Sequence, residues 1–123
     1  MTTQEVAKRL IELCRAGQWS QAQEELYADD AESIEPAGTH WESVKGMDAI
    51  RKKGEEWSGM IEQFHGNEIS EPLITDNHIA VRMVSDTTMK GMGRMKFEEL
   101  GIYEVKNGKV IREQFFYAPM PTR

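Results

Sequence analysis

The sequence predicts an α+β fold in which three helices precede a long antiparallel sheet. Two patterns carry that prediction. Apolar residues recur at helical spacing as far as Phe64, and beyond it runs of strand-forming residues alternate with turn signals. Length is the third indication. A chain of 123 residues is expected to form a single domain over 1–123, large enough to bury about two-thirds of its unfolded surface.

The first helix opens on Thr2-Thr3-Gln4-Glu5, a capping box with Thr2 as N-cap and Glu5 three positions later. Val6, Leu10, Leu13 and Cys14 then make one apolar face, and Gly17 is the candidate C-terminal stop. Ser20-Gln21-Ala22-Gln23 repeats the capping pattern and starts a short second helix ending near Tyr27. Trp19, just before that cap, is expected to pack as a hydrophobic staple.

A short strand should follow over Ala31 to Glu35. Asp29 and Asp30 are turn residues that compete with regular structure, and Pro36 holds Glu35 in an extended backbone. A polar loop with His40 and Trp41 comes next, a flap over an opening or a plain surface loop. Gly46 and Asp48 precede a third helix, in which Ile50, Gly54, Trp57, Ile61 and Phe64 form one face opposite Arg51, Lys52, Glu55 and Glu56. Strands are then expected over 65–74, 79–88, 95–105 and 110–118, divided by Asp76-Asn77, Gly91/Gly93 and Asn107-Gly108.

Composition narrows the function classes. A net charge of -6 leaves no basic stripe, so nucleic acid is not an expected partner. No apolar run approaches the ~20 residues of a membrane span, and the N-terminus lacks a signal pattern, so a cytoplasmic protein is expected. Cys14 is the only cysteine, which leaves no internal disulfide and no multi-cysteine metal site. The three histidines have no ligand spacing, and the glycines match no phosphate-cradling or dinucleotide fingerprint. Neither a metal nor a cofactor is expected.

The run Tyr27 to Gly38, YADDAESIEPAG, resembles the helix-to-strand junction of the ketosteroid isomerases and the SnoaL-like polyketide cyclases, within the nuclear-transport-factor-2-like superfamily. VKGMDAIRKKGEEW and NGKVIREQFFY extend that resemblance over nearly the whole chain. It implies a strongly curved sheet (the cystatin-like α+β barrel) that closes with the helices around a cone-shaped pocket. It also implies that Glu35, the acid before the proline, holds the place of a general base moving a proton α to a carbonyl. Two departures accompany it. Leu10 and Gly101 stand where the isomerases carry their tyrosine and aspartic acid donors, and Phe115 stands at the last-strand acid of an epoxide hydrolase relative.

The last hairpin decides which side chains face the pocket, and its turn allows two registers. A two-residue turn at Asn107-Gly108 pairs Val105 with Val110, whereas a three-residue loop over 106–108 pairs Val105 with Lys109. The parity of similar isomerases and hydrolases favours the second. It turns Phe97, Glu99, Gly101, Tyr103, Ile111, Glu113, Phe115 and Tyr117 inward, and Leu100, Ile102, Val110, Arg112, Gln114 and Phe116 outward.

The expected site is therefore apolar and aromatic with three carboxyls, the composition of a small-molecule pocket. Glu35, Glu99, Glu113 and Tyr117 are the candidate catalytic residues, and Trp57, His65, Asp86, Phe97, Tyr103 and Phe115 the candidate substrate contacts. The alternatives are that Glu99 and Glu113 pair with Arg82, Arg94 or Arg112, that the tyrosines are core, and that Asp86 is a surface acid. The function expected is cofactor-free proton transfer, as isomerase or cyclase, on a small apolar carbonyl-containing molecule. The other possibility is a non-catalytic ligand-binding or dimerisation module. The outer sheet face is apolar enough to expect a homodimer.

Overall fold

The computed structural model describes residues 1–118; the rest of the expected domain, 119–123, lies outside the described residues. Helix α1 spans Thr3–Arg15, and its capping box forms as the sequence implies. The Glu5 N–H donates to Thr2 Oγ1 at 3.1 Å, and the Thr2 N–H donates to Glu5 Oε1 at 2.8 Å. Val6, Leu10, Leu13 and Cys14 are buried, so this helix supplies much of the core. Gly17 follows its end with φ 72°, a left-handed conformation that favours glycine.

Helix α2, Trp19–Leu26, departs from expectation. Its N-cap is Gln18, which makes no side-chain cap bond, so no second capping box forms. Trp19 is the first helical residue rather than a staple, and its ring packs edge-on against Phe64 at 5.7 Å.

Strand β1 runs Tyr27–Ile34 and begins directly at the helix end, earlier than the predicted Ala31. The two aspartates still leave their mark. The ladder between β1 and the last strand jumps from Tyr27 to Glu32, and Asp29 and Asp30 are exposed in the interruption. Two residues within the expected loop, Val44–Lys45, form β2 against β1.

Helix α3 spans Met47–Met60, with Arg51, Lys52, Glu55 and Glu56 exposed. It stops before Ile61 and Phe64, which the helical spacing places on its apolar face. Those residues open β3, Ile61–Ile69, because Ile61 pairs with Met89 in the sheet. Tertiary pairing overrides a helical spacing that a bent edge strand also satisfies.

The remaining strands are β4 Leu73–Ile74, β5 His78–Met89, β6 Gly93–Lys106 and β7 Lys109–Phe116. The sheet order is β2-β1-β7-β6-β5-β3, with β4 also on β5. Every pair is antiparallel except β1 with β7, which is parallel. The sheet is curved and unclosed, and the three helices complete an α+β fold. Among the described residues no helix is long and apolar enough to cross a membrane.

The last hairpin combines the two registers considered. Asn107 and Gly108, at φ 52° and 76°, make a two-residue turn, and Val105 pairs with Val110. Between Glu104 and Val105 the register slips, leaving Ile111 as an extra residue opposite no partner. Beyond the bulge Tyr103 pairs with Glu113 and Gly101 with Phe115. The inward parity of Glu113, Phe115 and Tyr117 thus holds, but through a bulge rather than a longer loop. Val110, expected outside, is fully buried in the core, and Ile111 is the residue displaced.

Candidate active site

The concave face of the sheet and the three helices enclose a cavity of about 160 Å³. Residues two apart on one strand share a face, which is how β6 sends Phe97, Glu99 and Tyr103 to one wall and β7 sends Glu113 and Phe115. Tyr117, just past β7, and Trp57, on α3, complete the predicted set at the cavity. Trp41 lines it too, so the polar loop after Glu35 contributes a wall rather than only a surface. Rings run in contact from Trp41 to Trp57 at 5.9 Å, Trp57 to Phe97 at 5.7 Å and Phe97 to Tyr117 at 5.0 Å.

Glu35 reaches the cavity from the end of β1, with its backbone N–H donating to Ser43 Oγ at 2.9 Å. Its carboxylate is not free. Lys53 Nζ donates to Glu35 Oε2 at 2.8 Å, and the Tyr117 hydroxyl donates to Oε1 at 2.6 Å. The side chains of this ion pair are 14% and 7% exposed, for Lys53 and Glu35 respectively. Tyr117 also lies 3.3 Å from Thr39 Oγ1, and Thr39 donates to the Pro36 carbonyl at 2.8 Å, which ties the loop across the opening.

Lys53 continues the network inward. It donates to Ser33 Oγ at 2.6 Å, Ser33 donates to Glu113 Oε2 at 2.7 Å, and the Tyr27 hydroxyl donates to Glu113 Oε1. Glu113 is 2% exposed. Burial pushes its carboxyl above the ordinary range against the lowering effect of the Ser33 and Tyr27 bonds. Its partners are hydroxyls rather than an arginine, so the pairing with Arg82, Arg94 or Arg112 does not occur.

Glu99 differs from both. Its carboxyl faces the cavity and takes no hydrogen bond or ion pair among the described residues, while Arg82 pairs with Glu98 instead. Burial pushes it up to about 8, reinforced by the nearby charges of Glu35 and Glu113 and opposed by Lys53. At neutral pH it is a proton-bearing acid.

Two predicted contacts stand elsewhere. His65 shares a hydrogen bond with Thr88 Oγ1 at 2.7 Å and does not line the cavity. Asp86 is gripped by both Arg94 guanidinium arms at 2.9 and 3.0 Å, which hold its carboxyl below the usual range. Both fall outside because β5 and β3 present their alternate residues, Ser85, Thr87 and Asn67, to the cavity.

Sequence reasoning passed over Lys53, Ser33, Tyr27 and the wall role of Trp19 and Trp41. Lys53 carried a signal. It lies three after Ile50 and four before Trp57, a charge on the apolar stripe of α3. The departure at Gly101 also has a structural reading. A side chain begun there would meet Met83 Cε at 2.8 Å and Tyr103 Cε1 at 3.1 Å, so an acid at that point would require Met83 to move aside. No group of three or more histidine, cysteine, aspartate or glutamate side chains is placed to hold a metal among the described residues.

A family model for the SnoaL-like domain matches residues 1–117. Among solved structures, a Mesorhizobium loti protein provisionally assigned as a SnoaL-like polyketide cyclase is 36% identical. It aligns over 95% of this chain and 100% of its own, with a TM-score of 0.88. A Xanthomonas campestris protein of unknown function with a cystatin-like fold is 15% identical over 96% of this chain and 92% of its own, TM-score 0.80. A Catenulispora acidiphila protein with a ketosteroid isomerase-like fold, in complex with trimethylamine, is 17% identical over 95% and 88%, TM-score 0.74. No curated protein sequence matches the chain.

Proposed function

Since the chain belongs to the SnoaL-like domain family, we propose that its cavity moves a proton α to the carbonyl of a small apolar molecule, without a cofactor. The observation that carries this reading is a pair of unlike carboxyls on one apolar cavity. Glu35 is an ion-paired carboxylate, whereas Glu99 keeps its proton at neutral pH. Such a pair supplies a base and an acid at once.

In the proposed step Glu35 takes the α proton, and the C–H electron pair moves into an enolate. The Glu99 O–H donates a hydrogen bond to the oxygen on which that charge develops, the task that Leu10 and Gly101 cannot perform. Return of the proton to carbon regenerates both groups. Tyr117 and Lys53 orient Glu35, and the aromatic wall limits water.

The test is deuterium uptake α to the carbonyl of small ketones in heavy water, followed by proton NMR. Wild type should exchange above the buffer rate, Glu35→Gln should not, and the wild-type rate should fall as pH rises through about 8 with loss of the Glu99 proton. Unchanged exchange in Glu35→Gln would refute the base assignment.

A second reading, a non-catalytic binding module, is favoured by the contiguous rings Trp41, Trp57, Phe97 and Tyr117. Aromatic faces attract alkylammonium ions, and the Catenulispora protein is in complex with trimethylamine. Calorimetric binding of trimethylammonium, with no exchange of any ketone, would select this reading.

A further inference from the structure

The floor of the cavity has a closed shape with a definite cause. On β6 the inward row passes from Glu99 through Gly101 to Tyr103, and the position that lacks a side chain is filled by its neighbours. Met83, paired with Glu99 across β5 and β6, reaches to 2.8 Å of where a Gly101 Cβ would sit, and the Tyr103 ring to 3.1 Å. Tyr103 is 3% exposed and braced edge-on by Phe115 at 6.3 Å. The Tyr103 hydroxyl lies 3.8 Å from Met83 Sδ, which joins the two into one plug.

The space left is small. Ligand pockets run to about 300–1,000 Å³, whereas this one, open on one side, offers about 160 Å³. A cavity of about 150 Å³ holds benzene.

We propose that the substrate is a single-ring carbonyl compound, and that Met83 and Tyr103, packed into the space over Gly101, exclude fused-ring molecules. This rests on the carbonyl chemistry proposed above but concerns which molecules enter, not what happens to them. Met83 is the adjustable half of the plug. Its unbranched side chain has several rotatable bonds and fills a gap that a shorter residue would leave open.

The test is a size ladder read by binding, with cyclohex-2-enone, 1-tetralone and androst-4-ene-3,17-dione as probes. Trp41 and Trp57 line the cavity, so quenching of their fluorescence reports entry, and calorimetry checks it. Forcing a second ring into packed space should weaken 1-tetralone relative to cyclohex-2-enone about 5- to 150-fold, with the steroid not bound. Met83→Ala should remove most of that gap, and Met83→Leu, of similar volume, should keep it.

Wild type binding 1-tetralone or the steroid as tightly as the single ring would overturn the proposal. So would an unchanged ratio in folded Met83→Ala, or no binding of any probe to wild type. A size order that holds in wild type and Glu35→Gln alike, without deuterium exchange in wild type, would refute the catalytic reading and leave this one standing.

Discussion

Glu99→Gln replaces the unpartnered acid of the cavity with an amide of the same shape, and its effect can be worked from the proton balance. Burial moves the carboxyl from 4.5 to about 8. Between those values the folded chain holds a proton that the unfolded chain has released, so stability falls as pH rises. The contribution is full below about pH 4.5, drains through the interval and is flat above about 8. Integrated at about 1.36 kcal/mol per pH unit, the loss is about 2.5 kcal/mol between pH 5 and 7 and about 4 between pH 5 and 9. Water entering the cavity screens the charge, which makes these upper values. Glutamine does not titrate, so the variant should gain on wild type by that amount across the range. Urea unfolding of both proteins from pH 5 to 9 measures the difference, and Glu113, present in both, largely cancels from it. A difference constant to within about 0.5 kcal/mol would refute the argument. Glu99 would then be hydrated and ionised at neutral pH, and its role as acid would go with it.

Lys53→Met should cost about 3 kcal/mol in urea unfolding at pH 7, because it leaves the buried Glu35 carboxylate without its cation and Ser33 without a donor. A loss under about 1 kcal/mol would mean that solvent reaches the pair. On the outer face of the sheet Leu100 and Phe116 sit opposite one another and remain 42% and 49% exposed. We propose that this face pairs two copies of the chain. Light scattering at micromolar concentration should give a dimer for wild type and a monomer for Phe116→Glu, and a monomeric wild type would refute the pairing.

Local chemistry announced some elements well and others poorly. The capping box at Thr2 and the apolar face of α1 could be read because every residue involved lies within one turn of its partner. The end of α3 could not, since Ile61 leaves the helix to pair with Met89, a partner distant in sequence. The same division runs through the site. Phe97, Glu99 and Tyr103 share a face by strand parity, a local property. Glu113, Phe115 and Tyr117 are turned inward only by the parity of similar isomerases and hydrolases, since the two-residue turn alone gives the opposite phase. That Glu113 meets Ser33 and Tyr27 depends on how β1 lies parallel to β7, and that Glu35 meets Lys53 on how α3 packs against β1, neither of which a local pattern encodes. The lysine on the apolar stripe of α3 was the visible trace of that arrangement.

The unpaired Ile111 acts on β7 as a frameshift acts on a message. Everything downstream of it is read in the other phase, so Val110 serves the core while Glu113, Phe115 and Tyr117 serve the cavity. Were the ladder to run on from Val105 and Val110 without the slip, Arg112, Gln114 and Phe116 would point inward and the wall would carry a cation and an amide in place of an acid and one of its two rings. Point substitutions in this hairpin edit one letter at a time. Deleting Ile111 itself would remove the slip yet keep Arg112 opposite Glu104 and Glu113 opposite Tyr103, so the chemical text of the site should survive that one deletion.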